Sequence, residues 1–229
     1  MQEYRWRKRY FSEISEDEEE NVSDNDESPQ KKKRENKSWW DNSKIYSVDN
    51  HIYFYSSVNK ENVYRLNDLI IKINNDMKKI IRCNSSMVKM EPKPIYLHIN
   101  SFGGGVFAAF AAIDFIQNSE IPIHTIIEGA SASAATIMSV VGKKRYMTKH
   151  ASMLIHQLSS WTGGKMNEIE DEYKNLEEMM ENISKIYINN TKLKKKELKE
   201  FLKHDRWWDI QKCKRYGLVD EEWKNQDLD

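Results

Sequence analysis

Two serines separated by one alanine, Ser131 and Ser133, lie in the run EGASASAATIMS (Glu128–Ser139). Small neighbours leave a hydroxyl uncrowded, as a nucleophile requires, and they equally suit a tight turn feeding a buried helix. A membrane-spanning reading fails, because the apolar stretch stops at Lys143, short of the ~20 residues a span needs. Acyl transfer through serine also needs a base and a carboxylate to orient it. Six histidines are available. His51, His98 and His124 fall within strand patterns and read as packing residues, whereas His150 and His204 read as surface residues. His156 ends the apolar strand SMLIH, so its imidazole emerges at a strand edge and is one candidate base. Gly103–Gly105 let backbone N–H groups approach a substrate with no side chain in the way. Two strand-to-helix turns that face each other would present unpaired N–H groups and partial positive charge to a developing oxyanion.

The elements that must position these residues alternate between strand and helix. HIYFYSSV, PIYLHIN and IPIHTIIEG read as strands, and KRYMTKHASMLIH supplies one or two more. ENVYRLNDLIIKINNDMKKII has helical spacing at Val63, Leu66, Ile70 and Ile73. VFAAFAAIDFIQ reads as a helix and SAATIMSVV as a short one. A long helix is predicted over about 165–190 and a shorter one around 194–203. Repeated strand–turn–helix units predict an α/β fold. The long helix carries Met166, Ile169, Tyr173, Leu176, Met180, Ile183 and Tyr187 at 3-4-3-4 spacing, an apolar seam along one side.

Composition bounds the function. Lys+Arg and Asp+Glu both number 36, so net charge gives no case for nucleic acid, membrane or acidic partners. The two cysteines, Cys83 and Cys213, form no CxxC pair, which argues against a disulfide framework or zinc site and for a reducing, intracellular setting, the cytoplasm by default. The start MQEYRWRKRYF lacks the apolar segment of a signal peptide. Residues 1–44 join an acidic block to a basic one, with little to bury, and are expected to be a disordered charged tail or a propeptide. The domain is expected over residues 45–229. No GxxxxGK[ST] phosphate loop occurs; TGGKM lacks the earlier glycine and the hydroxyl.

YLHINSFGGG, EGASASAA, SMLIHQ and HDRWWDIQKCKRYGLVD occur in one order, at intervals that together resemble the proteolytic subunit of the Clp protease. The resemblance spans roughly Val48 to Asp220. It implies a Clp/crotonase-like superhelix of repeated ββα units with a long handle helix. It also implies a serine endopeptidase acting on peptides or unfolded proteins inside a homo-oligomeric ring or double ring, with a separate ATP-dependent unfoldase. No metal and no cofactor are implied. Laid on the family pattern, the nucleophile is Ser133, with Ser131 on a family alanine position. The base is His156, the third member is Asp205, and the oxyanion donors are the backbone N–H groups of Gly104 and Ala134. Asp209 and Asp220 are alternative acids; Asp220, in GLVD, reads as structural.

The departures are specific. Phe102 and Leu158 replace family prolines, Gly105 replaces a β-branched or polar residue, and Trp207-Trp208 stand where smaller or single aromatics are usual. The segment between Ser133 and His156 is also short. These changes suggest a divergent branch, of the phage or viral kind. Two other readings compete: a non-catalytic Clp-like ring subunit, and a crotonase-like acyl-CoA enzyme that shares the paired-helix oxyanion hole without needing a triad.

Overall fold

Alternation within the strands sets the two faces of the sheet. The computed structural model describes residues 44–84 and 93–224; the expected tail, apart from Lys44, lies outside the described residues. After the edge strand β1 (Lys44–Val48), β2 (His51–Tyr55) buries Ile52 and Phe54. On the same face, β3 (Ile95–Ser101) buries Ile95, Leu97 and Ile99, and β4 (Ile123–Ala132) buries Ile123 and Ile127. Helix α1 (Lys60–Asn84) covers them with Val63, Leu66, Ile70 and Ile73, at the spacing read from the sequence. Helix α2 (Val106–Gln117) adds Ala109, Ala112, Ile113 and Ile116. Full burial of each large aliphatic side chain contributes about 1.5–3 kcal/mol, so this face is the main store of stability. The opposite face carries Ile126, Tyr146 and Trp223, packed against Tyr96.

The short helix α3 (Ala134–Ser139) is buried throughout, which explains its small residues. Beyond it lie β5 (Lys144–Met147), β6 (Ser152–Leu154), the long α4 (Met166–Asn190), α5 (Lys195–Phe201), β7 (Trp207–Trp208), α6 (Ile210–Tyr216) and β8 (Glu221–Glu222). The sheet runs β1-β2-β3-β4-β5-β8, with β6 joined to β4 and β7. All pairings are parallel except β1–β2 and β6–β7.

The ten-residue β4 forks. Its first half, His124–Ile127, pairs with β5, and its last three residues, Ala130–Ala132, pair with β6. The segment KRYMTKHASMLIH thus supplies two strands that share β4 as neighbour but meet different ends of it. This fork sets the end of β4 beside the end of β6.

The long helix departs from its expected uniform seam. Ile183 and Tyr187 are buried, whereas Met166 and Tyr173 are 71% and 61% exposed. Among the described residues, the C-terminal half of α4 is the part that packs on the core.

Candidate active site

The two serines separate by burial. Ser131 is fully buried on β4 opposite Met153, and its Oγ has no hydrogen-bond partner among the described residues. It has no path to a substrate. Ser133 stands two residues on, half-buried, where β4 hands over to α3. Its φ of 54° and ψ of −128° are rare for a residue with a Cβ and hold the turn under strain. A sharp strand-to-helix turn of this kind projects a side chain out of the sheet's end. Its N–H donates to Leu154 O at 2.9 Å, tying it to β6, and Thr136 Oγ1 donates to its carbonyl at 2.6 Å. Since the Thr136 proton is so used, Tyr187 donates its hydroxyl to Thr136 Oγ1 at 2.5 Å. The long helix therefore braces the serine turn through one buried phenol, which burial pushes above its ordinary pKa.

His156 follows β6 by two residues. The antiparallel β6–β7 ladder pairs Met153 with Trp208 and Leu154 with Trp207. Continued in that register, His156 falls opposite Asp205, and His156 Nδ1 lies 3.0 Å from Asp205 Oδ1. The carboxylate accepts the Nδ1 proton and so fixes the tautomer that leaves Nε2 as the basic nitrogen. The His156 side chain is 16% exposed and that of Asp205 72%. Ser133 Oγ and His156 Nε2 form no hydrogen bond among the described residues.

The other acids are accounted for elsewhere. Asp209 caps α6, accepting from Lys212 N at 2.8 Å. Asp220 grips Arg145 with both oxygens, at 2.6 and 3.0 Å. Cys213 is buried with its thiol pushed up to about 12, which removes it as a nucleophile.

The glycine loop closes on the serine turn. A Cβ on Gly103 would sit 2.7 Å from Ser133 Cβ and 3.0 Å from Ala134 N, so only glycine permits the contact. Val58 clamps the loop as a parallel bridge: its N–H donates to Gly103 O at 2.9 Å and its carbonyl accepts from Gly105 N at 2.7 Å. That pattern uses the groups flanking Gly104 and turns the Gly104 N–H the other way. Ala134 N opens α3 and has no intrahelical acceptor.

Phe102, where the resemblance has proline, is exposed and meets the Trp207 ring edge-on at 6.2 Å. Leu158, at the other such position, donates its N–H to Met180 Sδ at 3.1 Å, a bond proline cannot make.

The sequence reading missed a second polar cluster, on the sheet face away from the helices. His51 and His98 are not packing residues alone, since each is hydrogen-bonded. His51 Nδ1 lies 2.9 Å from His98 Nε2, and His98 Nδ1 lies 2.8 Å from Glu128 Oε1. Tyr55 donates its hydroxyl to the second oxygen of Glu128. Burial raises the Glu128 carboxyl, but the His98 and Tyr55 hydrogen bonds and the nearby imidazoles outweigh this and hold it below its ordinary range. Burial, then the neighbouring His98, lowers His51. The third strand histidine, His124, packs against Tyr96 and Tyr146, with its Nδ1 buried and unpartnered among the described residues. The signal for the cluster was present in the alternation: His51, Tyr53, Tyr55 and Tyr96, His98 occupy the strand positions that the buried aliphatics leave free.

Comparison with known proteins identifies the family. The Clp protease family profile matches residues 51–226. The chain is 34% identical over 159 residues to the ATP-dependent Clp protease proteolytic subunit 2 of Treponema denticola, covering 68% of this chain and 80% of that protein. It is 33% identical over 140 residues to the corresponding subunit of Streptococcus mutans, covering 59% and 71%. Among solved structures, a ClpP1 mutant from Listeria monocytogenes shares the fold with a TM-score of 0.66 at 23% identity, over 78% of this chain and 94% of that one. On fold and sequence alike, the chain belongs to the Clp protease family.

Proposed function

We propose that this chain is a serine endopeptidase that cleaves peptides or unfolded proteins through Ser133, His156 and Asp205. The observation that carries the reading is convergence at the fork of β4. A strained serine, two backbone N–H groups without an acceptor among the described residues and a histidine held by a carboxylate lie on four separate segments. In the reaction, Ser133 Oγ attacks the scissile carbonyl while His156 Nε2 takes its proton. Asp205 holds the imidazole and stabilises the imidazolium. The N–H groups of Gly104 and Ala134 receive the oxyanion, and the positive end of α3 adds to their field. His156 then protonates the leaving amine, and water repeats the sequence on the acyl-enzyme.

The open Ser133–His156 contact fits a site that tightens on assembly or on substrate binding, as catalytic hydrogen bonds often do. The assembly is a ring or double ring of this chain, built partly through the exposed half of α4, inside the cell and most simply in the cytoplasm. The named relatives are ATP-dependent, and this sequence has no phosphate loop of its own, so a separate unfoldase supplies that dependence.

A fluorophosphonate probe tests the reading. Wild type should label on Ser133, located by peptide mass spectrometry, and cleave short peptides without ATP. Ser133→Ala should do neither while keeping its assembly state. A wild-type chain that assembles but never labels would be a non-catalytic ring subunit. Label on another residue would overturn the assigned triad.

A further inference from the structure

The Glu128 carboxylate ties three strands together. Tyr55 reaches it from β2, His98 from β3, and Glu128 itself stands on β4. Each strand then delivers one part of the site within a few residues. Three residues after Tyr55 is Val58, the clamp on the glycine loop. Six after His98 is Gly104, and five after Glu128 is Ser133. The tie lies directly before an irregularity in the sheet. The β3–β4 register moves from Ile99↔Ile127 to Ser101↔Ser131, so Glu128, Gly129 and Ala130 oppose the single residue Asn100. Gly129 turns there with φ 65°, and a Cβ on it would meet Asn100 Nδ2 at 2.9 Å. Such a bulge interrupts the ladder locally and bends the strand that carries it. Glu128 stands at the base of that bend, where its two hydrogen bonds fix how the strand enters it.

We infer that Glu128, held by His98 and Tyr55, is a positioning residue: it locks the β4 bulge and thereby sets Ser133 against the Gly103–Gly104 loop. The bonding pattern follows from the carboxylate. An ionised Glu128 is acceptor only, so His98 donates from Nδ1, and a neutral His98 accepts at Nε2 from His51 Nδ1. His98 is 3% exposed and sits flat against Tyr53 at 4.4 Å, with Trp223 edge-on at 6.1 Å, so the pin has little room to swing. Displacing a catalytic group by about 1 Å can cost on the order of 100-fold, so a small slip in the bulge would register in turnover. Glu128, His98 and Tyr55 have no part in the proposed acyl transfer itself.

This inference rests on the peptidase reading above, and the experiment separates the two. Full-length Glu128→Met, Glu128→Gln and Tyr55→Phe are compared with wild type for kcat, KM, rate of fluorophosphonate labelling and thermal midpoint. Methionine matches the bulk but accepts no bond from His98, and should lower kcat and labelling rate roughly 10-fold or more, with KM within about twofold. Glutamine keeps a carbonyl for His98, with Tyr55 turned to accept, and should recover most of that loss. Tyr55→Phe removes a single hydroxyl and should slow kcat about threefold at unchanged KM, which keeps the test open if the methionine variant fails to fold. Turnover within twofold of wild type in Glu128→Met or, if that fails to fold, in Tyr55→Phe, a loss carried by KM, or a glutamine variant as slow as the methionine one overturns the positioning role. A wild-type chain that neither labels nor cleaves overturns the peptidase reading, and this inference with it.

Discussion

Ser131 and Ser133 are two residues apart, yet one is sealed in the core and the other faces the glycine loop. The buried Ser131 hydroxyl has given up water without gaining a partner among the described residues, which costs about 1–3 kcal/mol. Ser131→Ala should therefore leave peptidase activity intact and the thermal midpoint unchanged or higher. Ser133 stores a different cost, since a φ of 54° strains any residue bearing a Cβ by about 1–3 kcal/mol. Ser133→Ala keeps that strain and Ser133→Gly relieves it, so the inactive glycine variant should melt above the inactive alanine variant. Calorimetry of the three variants checks both statements; an inactive Ser131→Ala, or a glycine variant that melts well below the alanine one, would refute them. Residue identity alone left the choice of serine open. Resemblance selected Ser133, and burial separates the two hydroxyls, which no local pattern of Ser and Ala does.

At the scale of elements, the sequence was most legible where periodicity meets burial. Val63, Leu66, Ile70 and Ile73 are all buried, and the long helix begins at Met166 and ends at Asn190, against a predicted 165–190. Strand alternation likewise set the aliphatic face of β2, β3 and β4. Legibility ended where meaning depends on a partner distant in sequence. His98 looks like a packing residue until Glu128, 30 positions away, is brought beside it. The fork of β4 has no sequence signal, because it depends on β5 and β6 sharing one neighbour at two heights. The antiparallel register that sets His156 against Asp205 runs through the two-residue strand β7, too short to show any period. The apolar seam of α4 was visible as a seam, but periodicity cannot tell which half meets its own chain and which half is left open.

For the whole molecule, the displaced histidines and carboxylates, which titrate on the acid side, act in one direction with pH. Burial lowers His51 and His124 from an ordinary 6.5, with His98 and Lys144 adding to it respectively. The denatured chain therefore takes up protons that the native chain refuses, and stability starts to fall as pH drops below about 6.5. Glu128 and Asp220 are buried enough to be raised, but their hydrogen bonds, from His98 and Tyr55 and from Arg145, hold them below their ordinary 4.5 and 3.8. Their contribution is complete above those values and is lost as pH falls through the lowered native ones. The thermal midpoint should thus decline gently from pH 6.5 and more steeply below pH 4.5. Asp220→Asn should flatten the steep part. A midpoint that rises on acidification to pH 4 would show that other groups dominate.

The exposed half of α4 raises the last question at this scale. Met166, Ile169 and Tyr173 are presented to solvent on a helix about 37 Å long at ~1.5 Å per residue, whose anchors, Ile183 and Tyr187, lie in its second half. A contiguous apolar patch on a surface marks an interaction site or an aggregation hazard. In the proposed assembly a second copy of the chain covers it. Ile169→Glu with Tyr173→Glu should then lower the particle mass seen by light scattering at micromolar concentration. Because both residues are exposed in the single chain, its far-ultraviolet spectrum should not change. Peptidase activity should fall with the mass, since the same helix braces the serine turn through Tyr187 and Thr136, and Ser133 and His156 share no hydrogen bond among the described residues. Raising protein concentration should restore mass and activity together, along one curve. A variant that keeps the wild-type mass, or a wild type that is monomeric and fully active, would show that α4 ends in solvent and that the site closes without a partner.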